Sequence, residues 1–128
     1  MVSAQLAADY DFLKIHPGLS LDEFDAIAAE ANRLGFPFAG HVPEDVGLES
    51  ALDAGIATID HLDGYMQALL PANDDPSGGL SGFFGVFIAD QVDSTRIDAI
   101  AKATAAAGVW NVPTESLFEH VTLSSPDP

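Results

Sequence analysis

Short apolar runs alternate with amphipathic helix patterns along this chain, and that alternation constrains its fold more than any other feature. The first run covers 11–17, with Lys14 at its centre and Pro17 at its end. Gly18 and Leu19 turn the chain, Ser20 supplies a helix N-cap, and Glu23 three residues on completes a capping box. Leu21, Phe24, Ile27, Ala28, Ala31 and Leu34 then recur at helical spacing until Gly35 stops the helix. The second run, 36–42, ends at Pro43, and a short helix follows over 47–54 with Leu48, Ala51 and Leu52 facing inward. The third run, 56–61, precedes one or two helical turns at 65–70. Asp93 or Ser94 caps a further helix, whose buried stripe is Ile97, Ile100, Ala101, Thr104 and Ala107 before Gly108. A fourth run, 109–112, closes at Pro113, and 116–123 reads as a final short helix. Strand and helix in this alternation predict a parallel α/β sheet of right-handed βαβ units, its apolar strands covered on both faces.

The remaining segments are less regular. Residues 71–82 carry Asn73-Asp74-Asp75-Pro76 and Gly78-Gly79 and read as a loop of the length expected for a lid or an insertion. The apolar stretch Phe83 to Ile88 reads either as a segment covering the core or as a partner surface. One domain over 1–123 is expected, followed by a frayed tail over 124–128.

Composition excludes several classes. The net charge of −16 repels phosphate backbones and anionic lipid, so neither nucleic acid nor a membrane surface is an expected partner. Hydrophobic residues at 48% against 19% charged residues exclude a disordered acidic tail. The apolar runs fall short of the roughly 20 residues of a membrane span. Met1 to Asp11 lacks the basic region and apolar core of a signal peptide, and with no cysteine in the chain a cytoplasmic location is the expectation. The lack of cysteine also removes thiolate catalysis and cysteine-ligated zinc.

What remains is the polar residue at the end of each of three apolar runs: Lys14, His41 and His61. Sites in parallel α/β proteins lie at the C-terminal ends of strands. Neighbouring strands stand about 4.8 Å apart, close enough for three such side chains to converge on one ion. Neutral imidazole ligates zinc, nickel or iron, and a divalent metal, zinc foremost, is the expected cofactor. A lysine ammonium does not ligate, but carbamylation by carbon dioxide makes it an anionic oxygen ligand and removes the cost of a buried charge. His16, two residues after Lys14, points to the same face and is a further candidate ligand. The competing reading pairs Lys14 with Asp11, Asp60 or Asp63 and leaves the histidines on backbone carbonyls. Glu115 follows the fourth run and could reach the same site, whereas His120 reads as structural or exposed.

Tyr10-Asp11-Phe12-Leu13-Lys14-Ile15, Ala39-Gly40-His41-Val42 and Gly55-Ile56-Ala57-Thr58-Ile59-Asp60-His61 together resemble the amidohydrolase superfamily. The nearest branch is that of the imidazolonepropionase- and prolidase-like hydrolases, whose seventh strand Ala107 to Thr114 also resembles. The resemblance implies part of a (β/α)8 barrel, with Lys14 as the carbamylated lysine of the fourth strand and His41 and His61 as the histidines of the fifth and sixth. It implies a metal-dependent hydrolase in which metal-bound water attacks a small ester, amide or phosphoester. The barrel needs about 250 residues, and 128 supply half of one. The His-x-His pair of the first strand and the aspartate of the eighth have no counterpart here. An open sheet of four strands exposes edges and one apolar face. It folds either as an open α/β sandwich or as a barrel completed by a homodimer. The alternative to a hydrolase is a catalytically inactive fragment that self-associates, or a metal-binding module.

Overall fold

A computed structural model of the chain describes residues 2–71 and 83–123. Four parallel strands, β1 (Leu13–Ile15), β2 (Phe38–Gly40), β3 (Thr58–Asp60) and β4 (Trp110–Val112), form one sheet in the order β1-β2-β3-β4. The helices are α1 (Val2–Leu6), α2 (Leu21–Leu34), α3 (Gly47–Asp53), α4 (Tyr65–Ala68), α5 (Ile97–Ala107) and α6 (Glu115–Leu123). Short 3-10 turns occupy Phe83–Ile88 and Ser94–Arg96. The fold is therefore α/β, with helices alternating with parallel strands as in one arc of a barrel. The loop expected over 71–82 lies, apart from Pro71, outside the described residues, as does the tail over 124–128.

Sequence order within the sheet has a consequence for its two faces. Helices α1 to α5 all contribute to one core on the same side of the sheet, as right-handed crossovers between consecutive neighbours lead one to expect. Leu13, Ile15, Phe38 and Ile59 point to that side and are buried. There Phe24 of α2 meets Phe38 edge-on, with ring centroids 6.1 Å apart. Ala51, Leu52, Val42 and Val46 extend the same core under α3. Among the described residues the strands are thus not covered on both faces. Trp110 is 78% exposed and Phe12 51%, and all of β4 is exposed. In an open sheet, helices on both faces require the strand order to reverse partway, and here it does not.

Local signals position the helices. Ser20 and Glu23 form the capping box of α2, in which Glu23 Oε2 accepts the Ser20 N–H at 2.9 Å. That bond holds the Glu23 carboxyl below its ordinary value, with the Ser20 hydroxyl adding to the effect. Gly35 ends α2 in the left-handed conformation at φ 62. Helix α1, which carries no sequence signal, is tied down by buried Val2 and packs on α2. The stripe expected on α5 buries Thr104 alone, and Ile97 stays half exposed. The cause is position: α5 flanks the last strand of the sheet and meets α3 on one side. Of the apolar stretch 83–88, Ile88 is buried while Val86 and Phe87 are exposed.

Candidate metal centre

Strand register brings the candidate residues together. Lys14 lies beside Ala39, Ile15 beside Gly40, and Gly40 beside Ile59. His41 and His61 are each the residue immediately after their strand. Alternation along β1 and β2 sends Lys14 and His41 to the open face, opposite buried Leu13, Ile15 and Phe38. His61 reaches that face by a different route. It directly follows Asp60, and alternation alone would send the two in opposite directions. His61 and Leu62 adopt φ of 57 and 61, the left-handed region that non-glycine residues seldom occupy. This turn swings the imidazole to the side of Asp60 while the His61 N–H still donates to the Val112 carbonyl at 2.8 Å. Such conformations cost about 1–3 kcal/mol each and concentrate at functional sites.

The result is a group of His41, Asp60 and His61, all partly buried, whose potential ligand atoms lie within 4.8 Å of one another. The two imidazole centroids stand 5.1 Å apart. Hydrogen bonds hold one ring nitrogen of each imidazole. His41 Nδ1 is 2.7 Å from Asp63 Oδ2, an acceptor, so Nδ1 carries the proton. His61 Nδ1 is 2.6 Å from Thr114 Oγ1, and the Thr114 hydroxyl donates its one proton to the Val112 carbonyl. Its oxygen therefore accepts from His61 Nδ1–H. Each imidazole has its Nδ1 anchored by an outer partner, as metal-ligating histidines commonly have one ring nitrogen.

Donors about 2.1 Å from one zinc ion stand at most about 4.2 Å apart. Closure of this group on an ion needs side-chain shifts on the order of one ångström. Two imidazoles and one carboxylate also match the donor set of catalytic zinc sites. The residues fit the group.

Lys14 differs from its expected placement at a strand end in an apolar setting. It is the middle residue of β1, its side chain is 53% exposed, and its ammonium pairs with Asp60. The reason is the open face: among the described residues no layer lies above it, so an alternating position that a doubly covered sheet would bury stays wet. The pairing with Asp60 is the competing reading of the sequence. His16 stands with its ring 6.3 Å from that of His41, outside the three-residue group. Glu115 and His120 are exposed on α6. Sequence reasoning took Asp60 and Asp63 only as partners for Lys14 and passed over Thr114. The carboxylate on His41 and the hydroxyl on His61 lie 22 and 53 residues away in sequence, and local spacing carries no trace of either contact.

Fold and site together define a parallel (β/α) segment with a histidine–carboxylate cluster at the C-terminal ends of its strands. The solved structure of bottromycin amidohydrolase is similar to this chain, with a TM-score of 0.53 and 27% identity over 88% of it. The chain spans 22% of that structure's length. No family model matches the chain, and no curated protein matches it. The likeness is to an amidohydrolase-type enzyme and does not single out the imidazolonepropionase- and prolidase-like branch. Among the described residues no helix is long and apolar enough to cross a membrane.

Proposed function

We propose that this chain is a metal-dependent hydrolase of small acyl or phosphoryl substrates, with the ion, zinc foremost, held by His41, Asp60 and His61. The observation that carries this is the convergence of His41, Asp60 and His61, whose potential ligand atoms lie within 4.8 Å of one another, with His41 Nδ1 held by Asp63 and His61 Nδ1 by Thr114. When bound, a divalent ion lowers the pKa of water and polarises the bond to be cleaved. The protein's own residues set the geometry. Asp63 holds the His41 tautomer and Thr114 that of His61. Lys14 neutralises Asp60 as an ammonium. As a carbamate it would add an anionic oxygen at the same point, and His16 stands near enough to serve as a further ligand after a shift of its ring. The reaction adds the oxygen of water to the acyl carbon or the phosphorus, breaks the bond to the leaving group, and returns one proton to that group.

Calorimetric titration of the metal-free chain with zinc is expected to give one site of micromolar affinity or tighter. Chelation is expected to abolish ester hydrolysis, with zinc restoring it. A carbamate at Lys14 makes zinc affinity rise with added bicarbonate. Hydrolysis unchanged by chelators would refute the metal reading.

The open sheet face favours a second reading, in which the ion binds but turnover needs further strands. A second copy of the chain would supply them. A two-fold axis that brings edge β1 of one copy to edge β4 of the other gives eight parallel strands and leaves no open edge. Exposed Phe12, Trp110 and Val112 would be covered in this homodimer. Sedimentation is expected to give twice the monomer mass, reduced to the monomer by Trp110→Glu. A wild-type monomer at all accessible concentrations would exclude the dimer.

A further inference from the structure

A cavity of about 300 Å³ opens beside His41 and His61. Val42, Pro43 and Leu62 give it an apolar wall, and part-buried Gln67 lines it from α4. The other polar side chains of the cavity have partners. Asp63 is held on His41, Thr114 holds His61, and Glu44 is engaged as well. Among the described residues no hydrogen bond holds the Gln67 carboxamide. Helix α4 has a single turn, so contacts rather than length fix its position. Gly64 starts it at φ 81, where a Cβ would stand 3.1 Å from Val42 Cγ1 and 3.3 Å from the Leu48 nitrogen. The Thr104 hydroxyl donates to the Ile100 carbonyl, so its oxygen accepts from the Tyr65 hydroxyl at 2.9 Å. Gly85 packs so closely on Met66 that a Cβ there would not fit. These contacts on one turn hold Gln67 at the cavity wall.

Small-molecule sites are mostly apolar, with a few placed polar groups that fix orientation. A carboxamide offers both donors and an acceptor, and an uncharged amide complements both. We infer that Gln67 is a specificity-determining residue, its carboxamide hydrogen-bonding an uncharged amide of the substrate while Val42, Pro43 and Leu62 take a short aliphatic group. This rests on the hydrolase reading and narrows its substrate class to acyl compounds that carry such an amide a few atoms from the bond to be cleaved.

Three uncharged esters test this. In 2-acetamidoethyl isobutyrate the ester, the amide and the aliphatic group are all present. Pentyl isobutyrate replaces the amide by two methylenes, and 2-acetamidoethyl acetate shortens the acyl group. Affinity for the full chain is read by saturation-transfer NMR with and without zinc, and turnover by acid release with zinc. Gln67→Leu keeps the bulk of the side chain and removes its hydrogen bonding. It is expected to lower the ratio of amide-ester to pentyl-ester affinity by about fivefold or more, the effect of one lost hydrogen bond. A residue that only supports the fold would weaken both esters alike and leave the ratio in place. In the wild type the acetate is expected to bind about fivefold more weakly than the isobutyrate. A ratio unmoved by Gln67→Leu, or an acetate that binds as well as the isobutyrate, would overturn the inference, as would failure of all three to bind. Binding in the expected order without turnover leaves the role of Gln67 standing and removes the hydrolase reading. Turnover with an unmoved ratio does the reverse.

Discussion

Zinc affinity is expected to fall by more than about a hundredfold in His41→Ala and, separately, in His61→Ala, with hydrolysis lost in both. Loss of an outer partner to a metal ligand costs roughly ten- to a hundredfold, and loss of the ligand itself exceeds that. The same logic sets the companion variants. Asp63→Asn keeps the size of the group that holds His41 Nδ1 at 2.7 Å but removes its charge. Thr114→Val removes the acceptor 2.6 Å from His61 Nδ1. Each is expected to weaken zinc binding by about ten- to a hundredfold without unfolding the chain. Calorimetry resolves this ranking, and circular dichroism confirms that the folds are intact. Equal zinc affinity in the wild type and both alanine variants would show that any bound ion sits elsewhere. Asp60→Asn separates a ligand role from a charge-pairing one. A ligand loses the metal with it, whereas a mere partner of Lys14 leaves it.

Gly40→Val is expected to cause the largest loss of stability of any single change in the sheet. Gly40 has φ of 123, a conformation that strains any side chain placed there. A Cβ at this position would lie 2.9 Å from the Ile15 carbonyl oxygen and 3.2 Å from the Ile15 nitrogen. The neighbour is backbone of β1, so it cannot rotate away as a flexible side chain would. Strain and clash together are expected to cost about 3 kcal/mol or more, a large share of the roughly 5–15 kcal/mol that holds a domain together. The denaturation midpoint in urea measures it. Gly18→Ala is the control. Its backbone is ordinary, and its nearest contact would be His16 Nδ1 at 3.8 Å, so a change within about 1 kcal/mol is expected. Equal midpoints for the two variants would mean that β1 and β2 are not held at this distance. Because Gly40 immediately precedes His41, the valine is also expected to disturb the metal group.

Much of the architecture is legible in the sequence because it is local. Apolar runs set off by Gly and Pro fix the four strands to within a few residues, and the Ser20–Glu23 box and Gly35 fix the ends of α2. The placement of His41 and His61 after their strands follows from the same pattern. The part that sequence alone could not supply depends on contacts between distant segments and on backbone angles no pattern encodes. The left-handed turn at His61, which puts adjacent Asp60 and His61 on one side, is one instance. The choice of Nδ1 as the protonated nitrogen, made by Asp63 and Thr114, is another.

The sequence by itself determined that strands and helices alternate and that three polar side chains stand near strand ends, because period and punctuation act over a few residues. Tertiary structure alone decided that helices α1 to α5 share one core on one face, and that Lys14 on the other face pairs with Asp60. That outcome rests on the order of strands across the sheet, a long-range property that no single segment contains.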